Sequence, residues 1–269
     1  MASRKILLQC LFLALTLVLS CFVKASSSIE KSEVAAKIPD KVLFVGNSFS
    51  FYNNGIHNHV ANLIRAKGLW QAKVNKYRLM TLSGGKLSEH SDLLANFLEQ
   101  KKTQWDLVIL QEVSNGPIIN EDKSKFRSSA KRLVKDIESA GSKAALFMTW
   151  AYQNKPEMTA LLATAYQALG KELNIPVFPV GIAFANTQLK HPEIPLFIPD
   201  ILGVENGKVT YKKTWKHPSP TGSYLAACVF YSALYGESAQ GNPYQSSLSD
   251  DIAQKLQKIA WETVIEFNK

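Results

Sequence analysis

Five strand-like segments, at 42–46, 73–82, 107–111, 144–149 and 176–180, alternate with stretches of helical periodicity, and that alternation constrains the fold most. Most of these segments are nearly continuous in apolar residues, as strands buried on both faces must be, and strands separated by helices run parallel. The predicted architecture is therefore α/β: a three-layer α/β/α sandwich around a mostly parallel five-stranded sheet, flavodoxin-like in type. Helices are predicted at 55–67, ending at Gly68, at 87–101, and at 126–137, with Gly141 just past the end. Others are predicted at 157–173, with Pro156 near the start, and at 219–235 and 249–267. Residues 183–216 break the alternation with several prolines and with Gly203 and Gly207. They read as a long irregular excursion, the kind of segment that shapes a cleft.

The first 25 residues stand apart. Arg4 and Lys5 precede a mostly apolar run from Ile6 to Val23, and Val23-Lys24-Ala25 presents residues that a signal peptidase reads, so 1–25 is expected to be a signal peptide. Residues 26–40 read as a linker and 41–269 as the folded domain, exported to a periplasm or secreted. The apolar run is also nearly long enough to span a bilayer if uncleaved, and Val18-Leu19-Ser20-Cys21 loosely matches a lipobox, which would lipidate Cys21. Those are the two routes to a membrane. Beyond the leader only Cys228 remains, so no intramolecular disulfide is expected. The five histidines lack metal-ligand spacing, with His57-x-His59 the nearest approach, and neither metal nor cofactor is expected.

The formal charge of +9 includes Arg4, Lys5 and Lys24, so the chain without its leader carries about +6. No nucleic-acid motif accompanies that charge. Lys123, Arg127, Lys131 and Lys135 recur every four residues, but Phe126, Ala130, Leu133, Val134 and Ile137 supply a buried face opposite them. The stripe therefore reads as the solvated side of an ordinary surface helix.

The chemistry-bearing residues fall into four blocks. The first strand runs into Gly46-Asn47-Ser48, a turn that would hold a serine at the carboxyl edge of the sheet beside a helix N-terminus. Gly84-Gly85 follows the second strand, Gln111-Glu112 ends the third, and His217-Pro218 precedes a C-terminal helix. Taken singly, the serine and the glycines read equally well as turn residues. Together and in this order, the four blocks resemble the SGNH (GDSL-like) hydrolase superfamily, and the resemblance covers most of the chain after the leader.

That resemblance implies a serine ester hydrolase with Ser48 as nucleophile and His217 as its base. It also implies an oxyanion hole built from the backbone N–H of Ser48, a glycine after the second strand and a side-chain amide after the third. Gly84 is the expected second donor, with Gly85 as its rival. Gln111 is the expected third donor, with Asn115 as its rival. The superfamily commonly carries an aspartate three residues before the histidine; here that position is Thr214. A Ser-His pair is therefore the working expectation, with the ring oriented by the Thr214 hydroxyl, a backbone carbonyl, or a carboxylate such as Asp200 or Glu205. Phe49, Asn53 and Trp150 are candidate substrate contacts, suited to a small-molecule or carbohydrate ester. Two other functions stay open. One is a non-catalytic binder of glycan or acylated ligand, favoured by the missing aspartate, and the other is a transacylase.

Overall fold

The computed structural model describes residues 38–99 and 104–269. The expected signal peptide, Cys21 and most of the predicted linker lie outside the described residues.

The sheet holds β1 (Lys41–Gly46), β2 (Lys76–Thr81), β3 (Leu107–Leu110), β4 (Lys143–Phe147) and β5 (Val177–Phe178). Their spatial order is β2-β1-β3-β4-β5, and every pairing is parallel. Side chains alternate across each strand and feed two cores. Val42, Phe44, Ile109 and Phe147 join α2 (Ile56–Ala66), α6 (Val180–Lys190), α7 (Pro220–Tyr235) and α8 (Asp250–Phe267) on one face. Leu43, Val45, Val108 and Leu146 join α3 (Leu87–Glu99), α4 (Asn120–Ser139) and α5 (Met158–Leu173) on the other. The three-layer α/β/α sandwich expected from the sequence is the observed architecture.

α7 is buried at every position from Thr221 to Ser232, because it lies under α2 and α8 rather than on the surface. Ser219 caps it, accepting from the Gly222 N–H, and Pro220 occupies its first position. The basic stripe on α4 is partly neutralised, since Arg127 and Lys131 both pair with Glu172 of α5.

The stretch predicted to be irregular is more ordered than expected. α6 starts just before it, at Val180, and runs into it to Lys190, with Val180, Ala183 and Phe184 buried. Gly181 sits so close to the Thr149 carbonyl that any Cβ there would lie 2.1 Å from the oxygen. Farther along, β6 (Ile201–Glu205) and β7 (Lys208–Tyr211) form an antiparallel hairpin. Its turn is Asn206-Gly207, both at positive φ, the pattern that matches the twist of two hairpin strands.

Candidate functional site

β1 runs directly into a helix of one turn, α1 (Ser48–Phe51), and Asn47 controls the junction. Its side-chain oxygen accepts from the Phe49 N–H at 3.2 Å and from Gln111 Nε2 at 2.8 Å, while its own amide donates to the Gly85 carbonyl at 2.9 Å. Gln111 completes the arrangement, with Oε1 accepting from Ser50 Oγ at 2.7 Å and from the Asn47 N–H at 3.3 Å. Gly46 permits this approach, because a Cβ there would stand 2.4 Å from Gln111 Oε1 and 2.9 Å from Ser50 Oγ. Gly46 and Asn47 are thus required by packing around the turn that presents the half-buried Ser48.

Ser48 and His217, 169 residues apart, meet at this edge: His217 Nε2 lies 2.9 Å from Ser48 Oγ. Thr214 does not orient the ring. His217 Nδ1 instead donates to Asp200 Oδ1, and Asp200 Oδ2 accepts from the Lys216 N–H at 2.7 Å. With Nδ1 holding its proton toward a carboxylate, Nε2 is left to accept the serine's. The expected Ser-His pair is therefore a Ser48-His217-Asp200 line.

Acid and base arrive on paired backbones. The Ile198 N–H donates to the His217 carbonyl at 3.0 Å and the Ser219 N–H to the Leu196 carbonyl at 2.9 Å, with Phe197 and Pro218 forming an antiparallel bridge. The β6–β7 hairpin then loops out between Asp200 and His217 and is closed at its root by the Lys212 N–H on the Asp200 carbonyl, 2.7 Å.

The aromatic residues serve this frame. Tyr52 stacks on the His217 ring at 4.6 Å, nearly parallel. Phe49 stacks on Trp150 at 4.2 Å, and Trp150 on Phe184 at 4.2 Å. Trp150 also donates through Nε1 to the Lys216 carbonyl at 2.9 Å, bracing the backbone beside His217. Phe49 and Trp150 are buried, with 1% and 0% of their surface exposed, so neither is the substrate wall expected from the sequence. Asn53 is likewise a strut. Its amide donates to the Pro218 carbonyl at 2.9 Å and to Ser223 Oγ at 2.8 Å, and its carbonyl faces His59 Nε2 at 2.6 Å. It holds a φ of 53°, followed by Asn54 and Gly55 at 74° and 75°. Three successive left-handed residues mark a conformation that the surrounding contacts must enforce.

For an oxyanion formed beside Ser48 Oγ, two of the three expected donors are open and the third, Gln111, is not. The Ser48 and Gly84 N–H groups donate to no acceptor among the described residues, whereas the Gly85 N–H is spent on the Leu82 carbonyl at 3.0 Å. Gln111 is no free donor. Both its amide hydrogens are used, on Asn47 Oδ1 and on the Glu112 carbonyl at 2.7 Å, and it is 1% exposed. Asn115 is half-buried with an uncommitted side-chain amide. Its loop is held by Thr149 Oγ1 on the Ser114 carbonyl and by Ser114 Oγ against the Tyr152 hydroxyl, each at 2.9 Å. Asn115→Ala is expected to lower kcat on a soluble ester by roughly 10²-fold or more with the melting temperature unchanged. Gln111→Ala is expected to cost about 3 kcal/mol of stability, read by denaturant unfolding, because it strands buried donors.

Two ionisable groups are buried at this edge, His90, which no sequence motif marks, and Glu112 of the Gln111-Glu112 block. His90 of α3 places Nδ1 and Nε2 each 2.9 Å from the carbonyls of Lys86 and Gly46, tying α3 to the residue behind the nucleophile turn. Glu112 accepts from the N–H groups of Val113 at 2.7 Å and Leu87 at 3.3 Å, joining the end of β3 to the start of α3. Burial raises its carboxyl from 4.5 to about 7, outweighing those two hydrogen bonds. Between those limits the folded chain holds a proton that the unfolded chain has released, so this group's contribution to stability falls as pH rises from 4.5 to about 7. Thermal melts of Glu112→Gln should lack that decline, a difference on the order of 3 kcal/mol across the window.

No family model matches the chain, and no curated protein does either. Solved structures do. A DUF4886 family protein from Bacteroides uniformis is 20% identical with a TM-score of 0.64, over 85% of this chain and 96% of that one. A proposed SGNH hydrolase from Slackia heliotrinireducens is 22% identical with a TM-score of 0.54, over 71% and 96%. An acetyl xylan esterase, AlAXEase, is 15% identical with a TM-score of 0.55, over 72% and 98%. At these identities the likeness is one of fold, and the fold is that of SGNH-type hydrolases and esterases.

Proposed function

We propose that this chain is an exported serine ester hydrolase. The observation that carries the reading is the 2.9 Å approach of Ser48 Oγ to His217 Nε2, with Asp200 accepting from the other ring nitrogen. Ser48 Oγ attacks the ester carbonyl carbon as its proton passes to Nε2, and the resulting oxyanion is met by the N–H groups of Ser48 and Gly84 and the Asn115 amide. The imidazolium, held by Asp200 and lying against the Tyr52 ring, returns the proton to the departing alcohol. Water then repeats the sequence on the acyl-serine, releasing the carboxylic acid and restoring Ser48.

The substrate class is proposed as small acyl esters, acetyl esters of carbohydrate among them. Support comes from the likeness to an acetyl xylan esterase fold and from the burial of Phe49 and Trp150, which withdraws two aromatic surfaces that a long acyl chain would use. Export rests on the leader pattern of residues 1–25. The non-catalytic alternative drew on the missing aspartate before His217, and Asp200 supplies that carboxylate from elsewhere.

Labelling with a fluorophosphonate probe tests the activated serine, and a panel of acetyl, butyryl and octanoyl esters tests the chain-length preference. One label per chain and a preference for acetyl are expected. Absence of labelling under conditions that label a control esterase would overturn the reading. Recovery of a mature N-terminus near Ser26 tests the leader, and a lipidated Cys21 would replace secretion with anchoring.

A further inference from the structure

The β6–β7 hairpin carries a surface that the hydrolase reading does not use. Its register pairs Ile201 with Tyr211 and Val204 with Val209, so these four side chains share one face. The opposite face carries the Gly203–Thr210 and Glu205–Lys208 pairs, and Gly203 and Thr210 are the half-buried members of the hairpin. The apolar face is bare. Ile201 is 64% exposed, Val204 68%, Val209 46% and Tyr211 52%, and Leu202 at the bulge adds 62%. Five large apolar side chains exposed together on one two-stranded ribbon form a patch, where scattered exposure would mean nothing.

The charge around the patch is predominantly positive, three lysines against one glutamate. Lys208 next to the turn and Lys212 and Lys213 at the root are exposed, and no ion pair among the described residues includes them. Glu205 is the single acid in the hairpin. Some lysines elsewhere on the surface are matched, as Lys190 is to Glu262 and Lys255 to Asp251, and others, such as Lys135 and Lys171, are in no ion pair among the described residues. Apolar side chains bracketed by unpaired ammonium groups complement a surface with an apolar interior and anionic headgroups. A dimer contact is the poorer fit, because a patch of a few hundred Å² falls short of the roughly 800 Å² per partner that a stable interface buries. Among the described residues no helix is long and apolar enough to cross a membrane.

We infer that the β6–β7 hairpin is a docking element for anionic lipid bilayers, inserting Ile201, Leu202, Val204, Val209 and Tyr211 at the interface while Lys208, Lys212 and Lys213 engage headgroup phosphates. Because the hairpin springs from Asp200, the docked protein holds its serine site close to the lipid surface.

The test uses the chain from Ser26 onward, which keeps both cores in full from Val42 to Val264 and removes the apolar leader. Co-flotation is measured with vesicles of phosphatidylcholine, alone and mixed with phosphatidylglycerol. Binding to the mixed vesicles and not to phosphatidylcholine alone is expected. The triple variant Lys208→Gln/Lys212→Gln/Lys213→Gln is expected to bind roughly 100-fold more weakly, at about one kcal/mol per lysine. Val204→Ser/Val209→Ser/Tyr211→Ser should bind at least tenfold more weakly at an unchanged melting temperature. If the serine substitutions lower that temperature, the lysine variant decides alone. Equal binding to both vesicle types, binding unaffected by the lysine changes, capture by soluble dextran sulfate as strong as by vesicles, or dimerisation lost in the serine variant would each overturn the inference. Flotation is read on Ser48→Ala as well, so the result stands apart from whether the chain hydrolyses esters.

Discussion

Replacing Ser48 by alanine is expected to lower kcat on 4-nitrophenyl acetate by roughly 10⁵-fold and to abolish fluorophosphonate labelling, with the circular dichroism spectrum and melting temperature unchanged. The size of the loss follows from the geometry. Ser48 Oγ is the group that His217 Nε2 meets, and alanine leaves the base with nothing to deprotonate except water. Stability should be indifferent, because the turn is held by Asn47, Gln111 and Gly46 rather than by the serine hydroxyl. A variant that keeps more than a few per cent of parental activity would remove Ser48 from the chemistry altogether.

Asp200→Asn is expected to lower kcat/KM by roughly 10³- to 10⁴-fold, while Thr214→Ala changes it by no more than about twofold. The carboxylate accepts from two donors, His217 Nδ1–H and the Lys216 N–H. An amide offers a single acceptor oxygen for the same two partners. The backbone N–H cannot change its proton, but the imidazole can. The asparagine oxygen therefore goes to Lys216 and its NH₂ to Nδ1, driving the ring proton to Nε2, where it blocks acceptance from Ser48. The two variants assayed side by side decide between Asp200 and Thr214. A severe loss in the threonine variant with a mild one in the asparagine variant would reverse the assignment.

Much of this site is legible in the sequence because its parts sit at the ends of strongly patterned strands. Val42 to Val45 and Leu107 to Leu110 are apolar enough to fix β1 and β3 at the centre of the sheet, and the residues just past each strand must lie at the carboxyl edge. Ser48 stands out for that reason, and His217 for its place on the loop that leads into buried α7. Asp200 is only one carboxylate among others, since its approach to His217 depends on backbone pairing of 196–198 with 217–219. Gln111 and Asn115 are both amides after β3, and residue type cannot separate a donor already spent from one still open. Asn47 and the Glu112 carbonyl take up the first, and nothing among the described residues takes up the second. Phe49 and Trp150 look like cleft aromatics because they adjoin strand ends, yet Phe49 stacks on Trp150 and Trp150 on Phe184, and both are buried. The hairpin does leave a signal: Glu205-Asn206-Gly207-Lys208 between valines is a turn sequence, masked by the prolines around it.

The excursion of the hairpin between Asp200 and His217 frees the number of residues separating these two from any catalytic duty. Since the strands zip to each other and the root is fastened at Asp200 and Lys212, residues added beyond Asn206-Gly207 would lengthen the arm without prising the carboxylate from the imidazole. Each doubling of a closed loop costs only about 0.6 kcal/mol. Chains of this build can therefore diverge in reach and in what they alight upon while their proton relay stays the same, and a sequence pattern that fixes the interval between acid and base will overlook them.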